Sequence, residues 1–131
     1  MEIRRYASTD QSALMALLKE EGKEWECYYA PDFEAKYMLA LETSVTYVAC
    51  EGPVLCGYSR SLNDGGFYIY VCDLLVSKAF RRRGIGRQLM ECLYKEFPDQ
   101  TVYVMSDVDG YYEKLGYRKE GSVFEVAGAF E

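Results

Sequence analysis

The chain has 131 residues, half of them apolar, and carries a formal net charge of −6 from 15 basic and 21 acidic side chains. This length predicts a single domain over residues 1–131 with one hydrophobic core. No apolar run is long enough to span a membrane and no apolar signal segment follows the first residues, so a cytoplasmic protein is expected. The acidic balance disfavours general nucleic-acid binding, which depends on neutralising phosphates.

The side chains available for catalysis are restricted, because the sequence contains no histidine and five scattered cysteines. The cysteines include no C-x-x-C pair, so we expect buried reduced thiols and no metal site. A Ser-His-Asp triad is excluded. Any general base must therefore be a carboxylate, a tyrosine, or a water relayed to one of these.

The first third of the chain predicts one strand followed by helices. Residues 2–6 form a short strand pattern, and Ser8 with Gln11 has the form of a capping box. Apolar residues then recur on one helix face until Gly22, a helix stop. The aromatic-rich segment 23–43 is broken by a proline, which predicts a helix–loop–helix whose aromatic side chains cover the sheet.

The middle of the chain predicts an antiparallel meander. Alternating residues indicate strands over 44–50 and 54–62, and the Asn-Asp-Gly-Gly turn at 63–66 leads into a third strand. That third strand, 67–76, is almost continuously apolar, which predicts burial on both faces.

The last third predicts a helix, a parallel strand and a C-terminal hairpin. Apolar residues at helical spacing run from about 84 to 97, where a proline ends the helix. A strand over 101–105 follows this crossover and should run parallel to strand 67–76. A short helix over 109–115 and one or two strands over 117–126 complete the prediction.

The most informative segment is the turn between the third strand and the long helix, Arg81-Arg82-Arg83-Gly84-Ile85-Gly86. A helix N-terminus has unpaired N–H groups and partial positive charge, and glycine lets the main chain approach a ligand closely. The surrounding segment 78–87 holds five cations and no acid. This arrangement predicts binding of a phosphorylated cofactor.

The segment from Val76 to Gly86 resembles the acetyl-CoA signature of the GNAT superfamily of N-acetyltransferases, through Arg81, Gly84 and Gly86. A second stretch resembles the family's aromatic-Tyr-Glu-Lys-x-Gly-aromatic segment, Tyr111-Tyr112-Glu113-Lys114-Leu115-Gly116-Tyr117. Together the motifs cover residues 67–117. The resemblance implies an α+β fold: a mixed, mostly antiparallel sheet with a V-shaped splay between strands 4 and 5, and helices on both faces.

The resemblance also implies acetyl-CoA as cofactor and names the residues that hold it. Backbone groups of Leu74, Leu75 and Val76 would pair with the pantetheine arm, and an amide near Leu75 would stabilise the oxyanion. The remaining cofactor-binding residues surround the pyrophosphate: Arg81, Arg82, Arg83, Gly84, Ile85, Gly86 and Arg87.

Two side chains are candidates for catalysis. Tyr112 matches the family's tyrosine near the CoA sulfur, where it would act as an acid and contact the cofactor; the alternative is packing at the end of the short helix. Asp73 is the candidate base, because a carboxylate inside an apolar strand is costly unless it is paired or functional. The alternative is a salt bridge to an arginine or a structural bond across the sheet. Glu24 or Glu26 acting through water are further candidates.

The implied activity is direct transfer of an acetyl group from acetyl-CoA to a primary amine, on a small molecule or a cationic peptide. Segment 20–51 carries eight acids and two lysines, which would attract ammonium groups. The resemblance also implies that segment 23–43 borders the acceptor site, so the alternative to covering the sheet is that its aromatic side chains face the substrate. The alternatives are a non-catalytic acyl-CoA-binding or sensing module, and a nucleic-acid module using segment 78–87. Segment 105–109 lacks the asparagine common in the family and the last hairpin is small, so a homodimer could complete the site. The acceptor, the base, the acyl length and the oligomeric state are left open.

Overall fold

The protein folds around one mixed β-sheet, as seen in a computed structural model that describes residues 1–128. The five strands are β1 (Glu2–Arg5), β2 (Val45–Glu51), β3 (Val54–Asn63), β4 (Tyr68–Val76) and β5 (Thr101–Val104). They lie in the order β1-β2-β3-β4-β5. The first four pair antiparallel, and β5 pairs parallel to β4. The predicted meander and the parallel crossover strand are confirmed.

Helices cover both faces of this sheet: α1 (Gln11–Glu21), α2 (Glu26–Tyr29), α3 (Glu34–Thr43), α4 (Ile85–Glu96) and α5 (Asp109–Lys114). One apolar core lies under α1 and α3, where Leu14 and Leu41 pack with Val48 of the sheet. The other lies under α4, where Leu89 packs with Ile69. The predicted α+β class with helices on both faces is confirmed. None of the helices within residues 1–128 has the length and apolar character that a membrane crossing requires.

The start of α1 differs from the predicted Ser8–Gln11 capping box. A single 3-10 turn, Ser8–Asp10, precedes the helix. The Asp10 carboxylate accepts a hydrogen bond from the Ala7 amide at 2.8 Å and two from the Arg4 guanidinium, both at 2.8 Å. The prediction was wrong because the ion pair with Arg4, from a different element, made Asp10 the capping residue.

The alternation of side chains between the two faces of the sheet shifts by one residue halfway along β4. The pairing with β3 is irregular between Arg60 and Ser61, where Asp73 and then Val71 are their partners, so Cys72 is bulged out. Before the bulge, Ile69 and Val71 pack under α4, whereas Leu75 packs in the core under α1. Continuous burial of both faces was a wrong expectation, because in the first half of β4 the face opposite α4 stays partly open to solvent.

The two central strands separate after a short paired stretch. The register joins Tyr68–Val71 to Thr101–Val104, and the Met105 amide donates to the Val71 carbonyl at 3.1 Å. Strand β4 continues through Val76 without β5 beside it, as the predicted splay requires.

The predicted strands over 117–126 are absent. Residues 117–128 form no helix or strand, and Phe124 is 83% exposed. The apolar residues that gave this segment a strand pattern find no partner strand within residues 1–128.

Candidate functional site

The turn after β4, residues 81–86, opens α4 with the geometry expected of an anion-binding site, and we call this turn the cradle. Gly84 caps the helix in the left-handed region, with φ 75°, and nothing lies within 4 Å of the position a Cβ would take. The first intrahelical bond runs from the Gln88 amide to the Gly84 carbonyl at 3.0 Å. The preceding amides of Ile85, Gly86 and Arg87 therefore have no partner within the helix, and the helix dipole makes this end attractive to a phosphate.

The three consecutive arginines of this turn are all exposed but differ in what they contact. The Arg81 guanidinium donates to the Val76 carbonyl at 3.0 Å and to the Glu21 carboxylate at 2.7 Å, so it ties the turn to the end of β4 and to α1. Arg83 lies over the Phe80 ring at 5.1 Å. Arg82 takes a left-handed backbone with φ 67°. Of the three side chains, Arg81 is the least available to a phosphate.

Gly86 is the point where β4, α4 and α5 meet. A Cβ built there would collide with the Tyr111 hydroxyl and would lie 3.5 Å from Tyr111 Cζ and 3.8 Å from Leu74 Cδ2. Glycine is therefore required here for close packing, since it is the residue without a Cβ. The two sequence motifs, far apart in the chain, are in contact in the fold.

Past the end of β5, the edge of β4 is open and unpaired in the part of the chain that the structure describes, and it exposes the backbone N–H and C=O groups of every second residue. The Ser77 amide donates to the Cys56 carbonyl at 2.8 Å, so Ser77 faces β3. Because backbone groups alternate between the two edges of a strand, Leu75 also faces β3, and Leu74 and Val76 face the open side. The Leu75 amide is thus directed away from the gap, whereas the neighbouring amides of Leu74 and Val76 face it, so stabilisation of an oxyanion by an amide near Leu75 stays a prediction.

Asp73 is the centre of a buried polar cluster on the α1–α3 side of the sheet, where it is 5% exposed. Its Oδ2 accepts hydrogen bonds from Arg60 Nε at 2.6 Å and from the Tyr37 hydroxyl at 2.8 Å. Its Oδ1 accepts one from the Tyr28 hydroxyl at 2.7 Å. The Tyr37 and Tyr58 hydroxyls are 2.7 Å apart. This geometry favours the alternative given for Asp73, an ion pair with an arginine; direct action as a base stays a prediction.

Burial and the neighbouring carboxylate control the protonation of these phenols. Desolvation first, and then Asp73, raise the pKa of Tyr28 and of Tyr37 well above the ordinary value. Desolvation likewise raises the pKa of Tyr58. All three phenols therefore hold their protons at neutral pH and act as donors in the cluster.

Tyr112 lies on α5, where its ring stacks on Tyr117 with a centroid distance of 6.3 Å and meets Tyr111 edge-on at 5.0 Å. Desolvation raises the pKa of Tyr112 to about 12. The phenol is therefore a proton donor at neutral pH, as an acid requires. Its packing also fits the structural alternative, so its catalytic role stays a prediction.

The sequence pointed to Asp73 but not to the side chains that hold it. Tyr28 and Tyr37 belong to the aromatic segment 23–43, and their rings stack at 4.0 Å. Most of that segment covers the sheet, since Trp25, Tyr28 and Tyr29 pack against the α1 core. The pairing of Arg60 with Asp73 could not be predicted from the strand pattern alone, because it depends on the register between β3 and β4, which places the two residues opposite each other.

A surface of three tyrosines, Tyr68, Tyr70 and Tyr103, borders this cluster; we call it the tyrosine surface. The Tyr68 and Tyr103 rings stack at 5.3 Å, and Tyr70 lies 5.8 Å from Tyr68. Tyr68 is 36% exposed and Tyr70 39% exposed. Their strand neighbours Ile69 and Val71 pack under α4, so the tyrosines lie on the opposite face, the face of Asp73.

Comparison with known proteins agrees with the two motifs. The sequence profile of the acetyltransferase (GNAT) domain matches residues 8–130. An uncharacterized N-acetyltransferase of Porphyra purpurea is 31% identical over 71 residues, which is 50% of this chain and 41% of the relative. The match thus spans less than half the length of that curated relative.

Solved structures share the fold. An aminoglycoside acetyltransferase from an uncultured soil metagenomic sample superposes with a TM-score of 0.75 at 24% identity, over 98% of both chains. The aminoglycoside N-acetyltransferase AAC(6')-Iy, solved with a CoA bisubstrate analogue, gives 0.76 at 16% identity, also over 98% of both chains. At these identities the likeness establishes the architecture. With the profile match over nearly the whole sequence, it confirms the family that the motifs predicted: the chain belongs to the GNAT acetyltransferases.

Proposed function

We propose that the protein transfers an acetyl group from acetyl-CoA to a primary amine. Acetyl-CoA is the acetyl donor of the GNAT acetyltransferases, and AAC(6')-Iy is solved with CoA. The observation that carries the proposal is the cradle, in which the left-handed Gly84 opens α4 directly beside the open edge of β4.

The residues of the cradle fit a coenzyme diphosphate. The Ile85, Gly86 and Arg87 amides have no acceptor within α4, and the space that a side chain at Gly84 would take is open. Arg82 and Arg87 are exposed cations at its rim. These groups would hold the pyrophosphate by backbone hydrogen bonds and by charge.

The open edge of β4 would bind the pantetheine arm as an added strand. The amides of Leu74 and Val76 face this edge, whereas the Val76 carbonyl is already bonded to Arg81. Bound acetyl-CoA supplies an activated thioester. Tyr112, protonated at neutral pH, is the proposed donor of a proton to the departing thiolate.

The acceptor side has the chemistry of a cation site. The α1–α3 region carries exposed acids, among them Glu24, Glu26 and Asp32. The tyrosine surface offers ring faces to an ammonium group by cation–π contact. We therefore propose that the acceptor is a small molecule or peptide end bearing one or more ammonium groups.

Calorimetry with CoA tests the cradle. Gly84→Leu should weaken binding at least about 10-fold, because a side chain enters the phosphate space and the backbone resists φ 75°. Gly52→Leu is the matched control: Gly52 also has positive φ, 59°, and open space around it, but lies in the β2–β3 turn. Equal CoA affinity in both variants would refute the assignment of the cradle.

Turnover is tested by mass spectrometry with acetyl-CoA and three probes: kanamycin, spermidine and a tripeptide with a free N-terminus. Acetylated product from at least one probe supports the proposal. Tight CoA binding without any acetylated amine would favour the sensing module instead. Sedimentation analysis of the same sample tests the expected homodimer.

A further inference from the structure

The two carboxylate oxygens of Asp73 accept different numbers of hydrogen bonds. Oδ2 receives both Arg60 and Tyr37, each within 2.8 Å, whereas Oδ1 receives only the Tyr28 hydroxyl. A carboxylate oxygen has about two lone-pair sites, so Oδ2 is saturated and Oδ1 retains acceptor capacity. A proton added to Asp73 would therefore go to the oxygen that Tyr28 contacts.

Tyr28 is the member of the cluster that reaches toward solvent. Tyr37 is 4% exposed and Tyr58 is fully buried, while Tyr28 on α2 is only partly buried. A phenol that donates its proton to Asp73 still has oxygen lone pairs with which to accept a hydrogen bond. Tyr28 can therefore present an acceptor to an incoming ammonium while the carboxylate behind it stays shielded.

The cluster also lies at the right place along β4. Asp73 is in the stretch that continues past the end of β5, two residues beyond Val71, the last partner in the parallel pairing. Leu74 and Val76 follow immediately, on the edge assigned above to the pantetheine arm. The tyrosine surface precedes it on the same face.

We propose that Tyr28 accepts the proton of the acceptor ammonium and passes its own phenolic proton to Asp73 Oδ1. This inference rests on the proposed acetyl transfer and assigns its missing base. The amine nitrogen, freed of one proton, uses its lone pair to form the C–N bond with the thioester carbonyl carbon. The C–S bond then breaks with its electron pair on sulfur, and Tyr112 protonates the departing thiolate. Solvent takes the second nitrogen proton and returns a proton to Tyr112, while Asp73 returns its proton through Tyr28 to solvent.

Titratable and charged groups from four elements face Asp73. They are Tyr28 from α2, Tyr37 from α3, Arg60 and Tyr58 from β3, and Cys72 beside it on β4. The relay resets when the transferred proton leaves Oδ1 through the Tyr28 hydroxyl to solvent. Asp73 acts only through Tyr28 and is a positioning residue.

The test compares Tyr28→Phe with Tyr29→Phe. Tyr29 is a tyrosine on the same short helix that packs against the same core, but its hydroxyl donates to the Gly22 carbonyl at 3.3 Å. At pH 7 we expect Tyr28→Phe to lower kcat/KM for the best of the three amine probes about 100-fold, the scale of general-base catalysis. The KM for acetyl-CoA should be unchanged, and Tyr29→Phe should stay within about 2-fold of wild type.

The pH profile separates a relay from a structural role. A free amine needs no base, so the ratio of wild-type to Tyr28→Phe kcat/KM should shrink toward one as pH approaches the amine pKa, about 10. A ratio that stays constant with pH would overturn the relay and leave Tyr28 as a packing residue. Absence of turnover in the wild-type protein would instead overturn the proposed acetyl transfer, and the relay with it.

A second readout does not depend on turnover. We expect the ¹⁹F resonance of 3-fluorotyrosine at position 28 to shift when the same amine is added to the protein saturated with CoA. The label at position 29 should not respond. No shift at position 28 under conditions where calorimetry detects amine binding would overturn the direct contact between Tyr28 and the acceptor.

Discussion

The packing of Gly86 against Tyr111 predicts that Gly86→Ala destabilises the wild-type protein but stabilises a variant that lacks the Tyr111 hydroxyl. In Gly86→Ala, the new methyl group collides with the Tyr111 hydroxyl, so the Tyr111 ring must shift. Such overpacking costs about 1–3 kcal/mol, and the better helix propensity of alanine returns about 0.5–1 kcal/mol. We expect the free energy of unfolding to fall by about 0.5–2 kcal/mol.

In a Tyr111→Phe background the colliding oxygen is gone, and the nearest ring atom, Cζ, lies at an ordinary contact distance of 3.5 Å. Gly86→Ala should then raise the free energy of unfolding by about 0.5 kcal/mol, from helix propensity alone. Urea denaturation of the four proteins in this cycle gives the coupling energy, expected at about 1 kcal/mol or more. An equal effect of Gly86→Ala in both backgrounds would refute the argument that the hydroxyl dictates glycine.

Three further predictions test other parts of the structure. Arg82→Gly relieves the left-handed backbone at φ 67° and should raise the midpoint of thermal unfolding, since that strain costs about 1–2 kcal/mol and the added freedom of the unfolded chain offsets only about 0.4–1 kcal/mol. Asp73→Leu leaves the Arg60 guanidinium buried without its carboxylate and should lower the free energy of unfolding by about 3–5 kcal/mol; adding Arg60→Met should recover much of that loss in the same denaturation assay. The hydrogen bonds from Arg4 lower the pKa of Asp10 below its ordinary 3.8, so this carboxylate stabilises the fold above the unfolded pKa and loses that contribution as pH falls through the folded one. As pH falls below about 5, the free energy of unfolding should therefore decrease more steeply for the wild type than for Asp10→Asn. Parallel curves for the two proteins would contradict this role of Asp10.

The sequence was sufficient wherever a local pattern determined the outcome. Turn residues at 63–66 and the glycine at 84 located the hairpin and the start of α4 because both require backbone angles that few residues adopt. The amphipathic spacing of apolar residues predicted the ends of α1 and α4 to within a few residues of their observed bounds. The cradle could be predicted for the same reason, since all of its parts lie within one short segment.

The features that were missed depend on contacts between distant segments. The cap at Asp10 depends on Arg4 in β1, and the partners of Asp73 come from α2, α3 and β3. No periodicity within one element reports such contacts. The strands expected over 117–126 show the converse error, because strand propensity produces no strand where no neighbour offers a pairing edge.

The bulge at Cys72 has a consequence for how this strand tolerates changes in length. Residues on either side of it are out of step by one, and each half meets a different apolar core. Removing Cys72 would restore a regular repeat and leave the Asp73 carboxylate in the polar cluster and Leu74 on the α4 face, because these residues already alternate regularly with Val71 when Cys72 is skipped. Deletion of Cys72 should thus be far less damaging than deletion of Leu74, which would turn either Asp73 or Leu75 to the opposite face of the sheet.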